Sequence, residues 1–415
     1  MGRSEVTTRK PAPEAPCSTK TLSSDVLARR VIEWRREPHQ FPELSEQEYQ
    51  TTQRITRWLS QLSISPLPIR LKTGLVADIG ASSGPVVALR ADIDALPIVE
   101  DTDVPFRSQH SGVMHACGHD FHTAVMLGAA GLLKAREAQL PVRVRLLFQP
   151  AEEVSVGARQ LIHAGALQPV YAVFGLHNAP ELPSGTFATR SGAFYANVDR
   201  FSIRVTGKGA HAAKPEEGID SIIAASHIVI ALQTLPSRRV SSLESLVVSV
   251  TRIEGGNTWN VLPQTVELEG TVRTYSTQVR EQVPDMMRQV IYGTAAALGA
   301  QAELVWHPGP PSVVNTPFWA DFSRQVAAEH GYHVETAERQ MVGEDFALYL
   351  QGCPGTFVSI GSGSPFGLHH PGFNPDESAI YPAWRYFAAL AEAALHQLAQ
   401  EQHTAETSQT TSTTA

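Results

Sequence analysis

The sequence contains few cysteines and no long apolar run. Its 415 residues include only Cys17, Cys117 and Cys353, an odd number at wide spacing. A disulfide-stapled secreted fold needs paired cysteines, so this pattern excludes that class of protein and predicts a reducing, cytoplasmic location. No stretch near the first residue resembles the apolar core of a signal peptide, and no run elsewhere reaches membrane-spanning length. A membrane partner is therefore not predicted.

The sequence also lacks an excess of positive charge. It has 33 Lys and Arg against 41 Asp and Glu. The formal net charge of -8 gives no reason to expect binding to DNA or RNA. The composition, 42% hydrophobic and 18% charged, is that of an ordinary globular protein. Because single cores rarely grow beyond about 250–300 residues, a chain of 415 residues predicts two domains.

Polar residues dominate both ends of the chain, and residues 1–21 and 401–415 are predicted to be disordered tails. Between them, apolar runs of strand length alternate with longer helical patterns, which predicts an α/β fold with a largely parallel sheet. Four of these runs end next to acidic residues or histidines, namely residues 85–91, 142–148, 171–176 and 356–360. Ligands of open α/β sheets lie at the carboxyl ends of strands, so the runs predict one shared site.

A different pattern occupies the middle of the chain. It predicts a strand, a helix, two strands, a helix and a strand, over residues 198–206, 219–235, 246–254, 265–275, 279–298 and 302–306. This order is that of the split βαβ, or ferredoxin-like, unit. Candidate site residues precede and follow the unit, so we expect a domain inserted into the larger one. The predicted bounds are 22–192 and 311–400 for the larger domain and 193–310 for the insertion.

The densest group of candidate ligands is His115-Ala-Cys117-Gly-His119-Asp120-Phe-His122, ahead of an apolar, helix-like run. Cys117 and His119 stand two residues apart on a Gly-containing turn and can converge on one ion. Thiolate and imidazole are both good ligands for zinc-like metals. Taken alone, such a motif more often means a buried thiol beside surface histidines.

Other candidates follow later strands. Glu152 and Glu153 come after Gln-Pro-Ala, where the proline ends the strand and the two carboxylates point in different directions. One carboxylate can then bind a metal while the other transfers a proton. His177 and His369 also follow apolar strands, although a lone histidine in such a place is more often a structural residue.

One cysteine, three histidines and a Glu pair at the ends of strands are together best explained by a site for two metal ions. The histidines in question are His119, His177 and His369. Asp92 and Asp94 end the first of the apolar strands. We expect them to orient ligating histidines through hydrogen bonds rather than to bind metal.

At these residues the sequence resembles the co-catalytic metallopeptidase superfamily of aminoacylases and carboxypeptidases G. It is most similar to the branch of hippurate hydrolases, N-acetyldiaminopimelate deacetylases and plant auxin-amide hydrolases. The matching motifs, in family order, are Arg35-Arg-x-x-His39-x-x-Pro42-Glu43-Leu44-Ser45, Arg90-Ala-Asp92-Ile-Asp94-Ala-Leu-Pro97, His115-Ala-Cys117-Gly-His119-Asp120, Gln149-Pro-Ala-Glu152-Glu153, Gly175-Leu-His177-Asn, Gly207-x-Gly-Ala-His211-Ala-Ala-x-Pro215, Gly256-Asn257-x-x-Asn260-Val-x-Pro263 and Leu368-His369. The resemblance implies an α/β metallopeptidase domain with an inserted ferredoxin-like dimerisation domain, and hydrolysis of N-acyl amino acids such as N-acetyl or N-benzoyl forms.

The resemblance also implies roles for individual residues. The implied metal ligands are Cys117, His119, Glu153, His177 and His369. Glu152 is implied as the general base, with His211 of the inserted domain as a donor to the oxyanion and Asn260 and Arg273 as weaker candidates for the substrate carboxylate. Two divalent ions per subunit are implied, zinc or manganese with cobalt or nickel as alternatives. The inserted domains are expected to pair two subunits into a homodimer.

Departures from the family pattern leave alternatives open. The family usually has His-Asn-Pro or His-Ser-Pro at the last ligand, whereas this chain has His369-His370-Pro371, so His370 is an alternative to His369. Val154-Ser-Val-Gly157 also replaces the Gly run that often follows the Glu pair. Two rival functions remain: a thiol hydrolase with Cys117 as its nucleophile, and a binding protein without activity on the same scaffold.

Overall fold

The computed structural model of the chain describes residues 24–80 and 84–412. The strands in this part are β1 (Leu75–Ile79), β2 (Val86–Asp92), β3 (Arg143–Gln149), β4 (Val170–Ala179), β5 (Thr186–Thr189), β6 (Gly192–Tyr195), β7 (Asn197–Thr206), β8 (Ala210–His211), β9 (Leu246–Gly255), β10 (Val261–Leu262), β11 (Thr265–Thr274), β12 (Gln301–Pro308), β13 (Val313–Asn315), β14 (His333–Thr336) and β15 (Gly355–Gly361). The α-helices are α1 (Ser24–Gln40), α2 (Tyr49–Gln61), α3 (His119–Ala135), α4 (Gly157–His163), α5 (Ser221–Leu232), α6 (Thr277–Ala297), α7 (Pro317–Glu329), α8 (Ala347–Gly352) and α9 (Ile380–Ser412).

The larger sheet has the strand order β1-β3-β2-β4-β15-β5-β14. Its central pairs, β3 with β2, β2 with β4 and β4 with β15, are parallel, whereas β1 pairs antiparallel with β3. The prediction of a largely parallel sheet is thus confirmed. All seven residues of β2 are buried, as is expected when both faces of a parallel sheet are covered.

Two cores cover the two faces of this sheet. Side chains of a strand alternate between its faces, so Val87 and Leu89 of β2 join the core built with α1, α3 and α9, whereas Ala88 joins the core built with α4 and α8. The helices α1, α3 and α9 therefore lie on one face of the sheet, and α4 and α8 lie on the other. Packing on both faces holds the sheet in place and so positions the edge at which the parallel strands end.

The inserted domain contains a second sheet, in the order β12-β7-β11-β9, in which each pair is antiparallel. The helices α5 and α6 pack on one face through buried residues such as Ile228 and Met287, against Phe201, Ile203 and Val205 of β7. The predicted order of strands and helices is confirmed. The ribbon of β6 and β13 pairs the segments that enter and leave this domain. The bounds of 193 and 310 stay a prediction.

The backbone of helix α9 continues to Ser412, past residue 401, where the sequence predicts that a disordered tail begins. Once a helix is nucleated, each further residue adds a hydrogen bond at low cost, and the polar composition did not prevent this extension. Residues 1–21, the other predicted tail, lie outside the described residues. In the part that is described, no helix is long and apolar enough to cross a membrane.

Candidate metal centre

A left-handed turn places Cys117 and His119 at the start of α3. Gly118, between them, has φ 84, and a Cβ added there would lie 2.3 Å from Nδ2 in the side chain of Asn178. Only glycine combines this backbone with so close an approach to a neighbouring strand. The turn therefore rests on β4, and the Cys117 Sγ lies 3.4 Å from Nε2 of His177.

A second left-handed residue presents the Glu pair. Ala151 has φ 51, and its N–H donates to the buried Oε1 of Glu48 at 2.8 Å. The N–H of Glu153 donates to Oδ2 of Asp94 at 3.1 Å. Two carboxylates outside the Glu pair thus hold the turn that carries Glu152 and Glu153.

The third contribution comes from the loop after β15. His369 has φ 64, and its N–H donates to the carbonyl of Ala116 at 2.8 Å. This hydrogen bond ties the loop directly to the segment that carries Cys117. As a result, Nε2 of His369 lies 3.5 Å from Oε1 of Glu153.

The structure brings all five predicted ligands together. Cys117, His119 and His177 have ligand atoms within 4.8 Å of one another, and so do Cys117, Glu153 and His369. Nε2 of His119 and Oε1 of Glu153 lie 3.8 Å apart, and both atoms are buried without a hydrogen-bond partner. Buried polar atoms without partners are costly. A thiol, three imidazoles and a carboxylate suit divalent metal ions of the zinc type, so the donor set fits two such ions.

Hydrogen bonds fix the orientation of the histidine rings. Nδ1 of His119 lies 3.1 Å from Oδ1 of Asp94, and Nδ1 of His177 lies 2.7 Å from the carbonyl of Asn178. With Nδ1 engaged, each ring turns Nε2 towards the site. Such partners commonly orient histidines that bind metal.

Asp92 lies 3.5 Å from Nε2 of His119, but its shorter contact is with a different histidine. Its Oδ1 lies 2.6 Å from Nδ1 of His122, and Nε2 of His122 accepts the N–H of Asn178 at 2.9 Å. Both ring nitrogens of His122 thereby make hydrogen bonds, so this histidine stabilises the surroundings of the site and is not one of the proposed ligands. The sequence motif contains His122, but its spacing assigns this histidine no role.

Neighbouring charges set the protonation of the ligands. Burial would lower the pKa of His119, but the carboxylates of Asp92 and Asp94 raise it to about 10. Burial and the ring of His122 lower the pKa of His177. Burial, followed by the carboxylates of Glu153 and Glu152, raises the pKa of the Cys117 thiol well above its ordinary value. Cations at this position would favour the thiolate and replace the proton of His119.

A buried charge cluster lies beside the Glu pair, and the sequence patterns did not reveal it. The guanidinium of Arg90 contacts Asp92 at 2.7 Å, Glu344 at 2.9 Å and Asp345 at 3.0 Å. Glu344 and Asp345 are separated from Arg90 by about 250 residues of chain. The only signal was an acidic pair after Gly343, which has no characteristic spacing to the other motifs.

Glu152 lies between this cluster and the ligands. The N–H of Asp345 donates to its Oε1 at 3.4 Å. Burial, followed by repulsion from Glu344 and Glu153, raises the pKa of Glu152 well above its ordinary value. A carboxyl group in such surroundings binds a proton readily, as a group that shuttles protons must.

The remaining candidates lie on the inserted domain and do not join these ligand groups in the described chain. His211 is exposed on β8, and Asn260 precedes β10, which pairs with β8. Arg273 lies on β11, where its guanidinium donates to the hydroxyl of Thr271 and to the carbonyl of Val272.

The two alternatives for the last ligand occupy different surroundings. His369 joins Cys117 and Glu153, whereas Nδ1 of His370 accepts the N–H of Gly372 at 2.9 Å. The ring of His370 stacks on Phe366. The geometry therefore favours His369 as the ligand.

Comparisons with known proteins agree with the site. Residues 88–393 match the model of Peptidase family M20/M25/M40. The chain is 50% identical over 364 residues to an N-acetylcysteine deacetylase of Bacillus subtilis, covering 87% of this chain and 96% of that protein. It is 38% identical over 353 residues to an N-acetyldiaminopimelate deacetylase of Anoxybacillus flavithermus, covering 83% and 92%.

A solved structure is also similar. It is that of a dinuclear metal-binding peptidase of the M20 family from Bacillus subtilis, with a TM-score of 0.81, 46% sequence identity and coverage of 90% of this chain and 99% of that one. The resemblance inferred from the motifs is confirmed. The chain belongs to Peptidase family M20/M25/M40 and is a hydrolase that acts on amide bonds.

Proposed function

We propose that the chain removes the acyl group from N-acyl amino acids, with N-acetyl and N-benzoyl forms as the first candidates, and that it requires two divalent metal ions. The observation that carries the proposal is the convergence of Cys117, His119, Glu153, His177 and His369, two of which bear buried ligand atoms without partners. The names of the relatives, two of them deacetylases of N-acetyl amino compounds, support the substrate class.

The two ligand groups suggest how the ions are shared. Cys117, His119 and His177 would hold one ion, and Cys117, Glu153 and His369 the other. Bound there, the ions would lower the pKa of a water molecule and polarise the amide carbonyl. The soft thiolate favours zinc, with manganese, cobalt or nickel as the alternatives that we retain.

Glu152 is the residue that we assign to proton transfer. It accepts a proton from the attacking water and donates it to the leaving amine, so that the carboxylate is regenerated in each cycle. The proposal is supported by its carboxylate, which accepts the N–H of Asp345 and lies within 4.8 Å of ligand atoms of His119 and Glu153. Glu152 belongs to neither of the two proposed ligand groups.

The rival in which Cys117 is a nucleophile is less well supported. A nucleophilic cysteine needs a lowered pKa, supplied by cationic neighbours or a helix N-terminus. Cys117 does lie at the start of α3, but burial and the carboxylates of Glu153 and Glu152 raise the pKa of its thiol well above the ordinary value. The thiol therefore suits a metal ligand better than a free nucleophile.

His211 is the proposed donor to the developing oxyanion. Its Nδ1 accepts the N–H of Ala213 at 3.1 Å, so the neutral ring carries its proton on Nε2 and can donate from there. The ring is exposed rather than held inside the domain. We propose that Nε2 of His211 reaches the active site of a second subunit.

The inserted domain has a surface that fits such a partner. Helix α5 also carries apolar side chains on its outer side, with Ile222 43% and Ile230 69% exposed. Next to it, β9 forms an edge of its sheet and exposes Ile253 at 61%. Apolar area and an open strand edge both favour pairing with a second copy of the chain.

Asn260 and Arg273 remain the proposed contacts of the substrate carboxylate. The carbonyl of Asn260 accepts the N–H of Ala212, so its side chain lies on the same ribbon as His211. Arg273 offers a guanidinium that can bind a carboxylate with two hydrogen bonds. We also propose that the protein is cytoplasmic and has neither a nucleic-acid nor a membrane partner.

The test is a substrate screen with the full-length protein. The protein is stripped with a chelator, reloaded with zinc, manganese, cobalt or nickel, and assayed for amine release from N-acetyl and N-benzoyl amino acids. We expect turnover only after reloading. Undiminished activity in chelator would favour the thiol hydrolase, and no turnover with any metal and substrate would favour the binding protein.

A further inference from the structure

The proposed ligand His369 is more exposed than Glu153 and His119. Its side chain is 54% exposed, against 10% for Glu153 and 0% for His119. Its φ of 64 is one that residues other than glycine adopt at a cost in free energy. An exposed loop with a strained residue would open locally unless other contacts held it.

A ring stack lies directly beside this residue. The rings of Phe366 and His370 are parallel to within 6°, with their centroids 4.3 Å apart. Gly372 leaves the space that Phe366 occupies, since an added Cβ would lie 2.9 Å from Cε2 of that ring. The N–H of Gly372 donates to Nδ1 of His370, which fixes the orientation of the imidazole.

The loop is anchored at His369 and again a few residues later. The N–H of His369 donates to the carbonyl of Ala116, and the N–H of Phe373 donates to the carbonyl of His370 at 2.9 Å. Phe373 itself is buried against Met114 and Ala116. The stack of Phe366 on His370 is a side-chain contact between residues on either side of His369 in the chain.

We infer that the Phe366–His370 stack is a positioning element that holds His369 in place to bind one of the two metal ions. The inference rests on the proposed function, because it assumes the ion shared by Cys117, Glu153 and His369. It also gives His370 a role other than ligation. The stack acts on one ligand group alone, since His119 and His177 belong to α3 and β4.

The experiment is a chelator titration of the zinc-loaded, full-length protein with a count of bound ions at each step. The variants are Phe366→Ala, His370→Asn and the double variant. Asparagine can still accept the N–H of Gly372 but removes the ring. We expect each single change to weaken the binding of one ion per chain by roughly 3- to 10-fold, the usual strength of a ring pair, and to leave the other ion unchanged.

The double variant and a conservative change separate a stack from two independent contacts. The double variant should bind the ion no more weakly than the single variant that binds it more weakly, because the same ring pair is lost in all three variants. Phe366→Tyr keeps an aromatic ring at this position and should bind both ions as tightly as the wild type. Phe318→Ala is the matched control, since Phe318 is 48% exposed and contacts another ring, Phe322, on α7 away from this loop.

The outcomes distinguish the two proposals. A wild-type protein that binds fewer than two ions would contradict the proposed function and the inference with it. If the wild type binds two ions and Phe366→Ala keeps both at unchanged affinity, the inference alone fails. Complete loss of one ion in His370→Asn with no effect of Phe366→Ala would make His370 the ligand and would overturn the inference as well.

Discussion

Nδ1 of His119 lies 3.1 Å from Oδ1 of Asp94, and the other oxygen of the same carboxylate accepts the N–H of Glu153 at 3.1 Å. One side chain therefore holds two proposed metal ligands that belong to different elements of the fold. The hydroxyl of Ser45 donates to Oδ2 of Asp94 at 2.7 Å and keeps that carboxylate in position. The arrangement makes the charge state of His119 depend on its aspartates.

The first prediction concerns pH and the metal-free protein. Because Asp92 and Asp94 raise the pKa of His119 to about 10, the protonated ring stabilises the folded state. This contribution is complete below the ordinary histidine pKa of about 6.5 and is lost as the pH rises through about 10. We expect the Tm difference between the metal-free wild type and His119→Ala to shrink between pH 6 and pH 10.

Calorimetry across that range is the measurement, and the exposed His333 supplies a control. His333→Ala should change Tm little at any pH, because its contact with Glu335 is exposed. A Tm difference for His119→Ala that stays constant or widens with pH would contradict the proposed charge state.

The second prediction separates the two members of the Glu pair. Glu152→Gln should abolish turnover and leave the bound metal nearly intact, because Glu152 is assigned to proton transfer. Glu153→Gln should lower the metal content, because Glu153 is assigned as a ligand. Metal analysis and kcat of the two variants are the measurements. Equal loss of metal in both variants, or full activity in the first, would reverse or remove the assignments.

The third prediction concerns the buried charge cluster. Arg90→Met leaves Asp92, Glu344 and Asp345 without their shared cation, and removing one partner of a buried ion pair typically costs about 3–5 kcal/mol. Urea unfolding is the measurement. Arg204→Met is the control, because its pair with Glu267 is exposed and should contribute about 1 kcal/mol or less. Similar losses in the two variants would show that Arg90 does not offset the buried charges.

The fourth prediction concerns His211 and the second subunit. His211→Ala should lower kcat strongly at unchanged metal content, since only stabilisation of the transition state is lost. In a mixed dimer of one His211→Ala chain and one Glu152→Gln chain, both defects fall in one composite site and the other site is whole. The mixed dimer should therefore recover about half of the wild-type activity.

Verified mixed dimers without activity would mean that His211 acts within its own chain or that the proposed interface is wrong. A wild-type protein that is fully active as a monomer would remove the need for a partner altogether. Size determination alongside the assay distinguishes these cases.

The fifth prediction is that residues 1–18 and 402–415 are dispensable. Both segments are polar, and such composition contributes little to a core. Their deletion should leave kcat/KM and the soluble yield unchanged, even though the backbone of the second segment continues α9 to Ser412. A loss of activity on truncation would show that one of the ends packs against the rest of the molecule.

Much of the fold followed from local patterns. The runs that predicted strands at 85–91 and 142–148 correspond to β2 and β3, within one residue at either end. The split βαβ order of the inserted domain followed from the succession of strand and helix patterns along the chain, which are local properties of the sequence. The helical continuation to Ser412 was missed, because composition predicts whether a segment can bury apolar surface and not whether an existing helix ends there.

The candidate ligands were predictable for a related reason. Glu153 follows β3 and His177 lies near the end of β4, and both strands flank β2 in parallel, so topology brings their ends to one edge. Cys117 and His119 instead lie at the start of α3, the helix that follows β2 in the chain. The choice between His369 and His370 was not predictable from spacing. It depends on a left-handed residue and on a hydrogen bond to Ala116, which lies far away in the sequence.

The sequence by itself determined which residue types were available for metal binding, which runs form strands, and the family to which the chain belongs, because these are properties of local pattern and order. Only the tertiary structure decided which carboxylates meet Arg90, which ring nitrogen of His119 faces the site, and that His369 lies beside Glu153. Contacts of this kind join segments that share no periodicity, and their geometry is set by the packing of both faces of the sheet rather than by neighbouring residues.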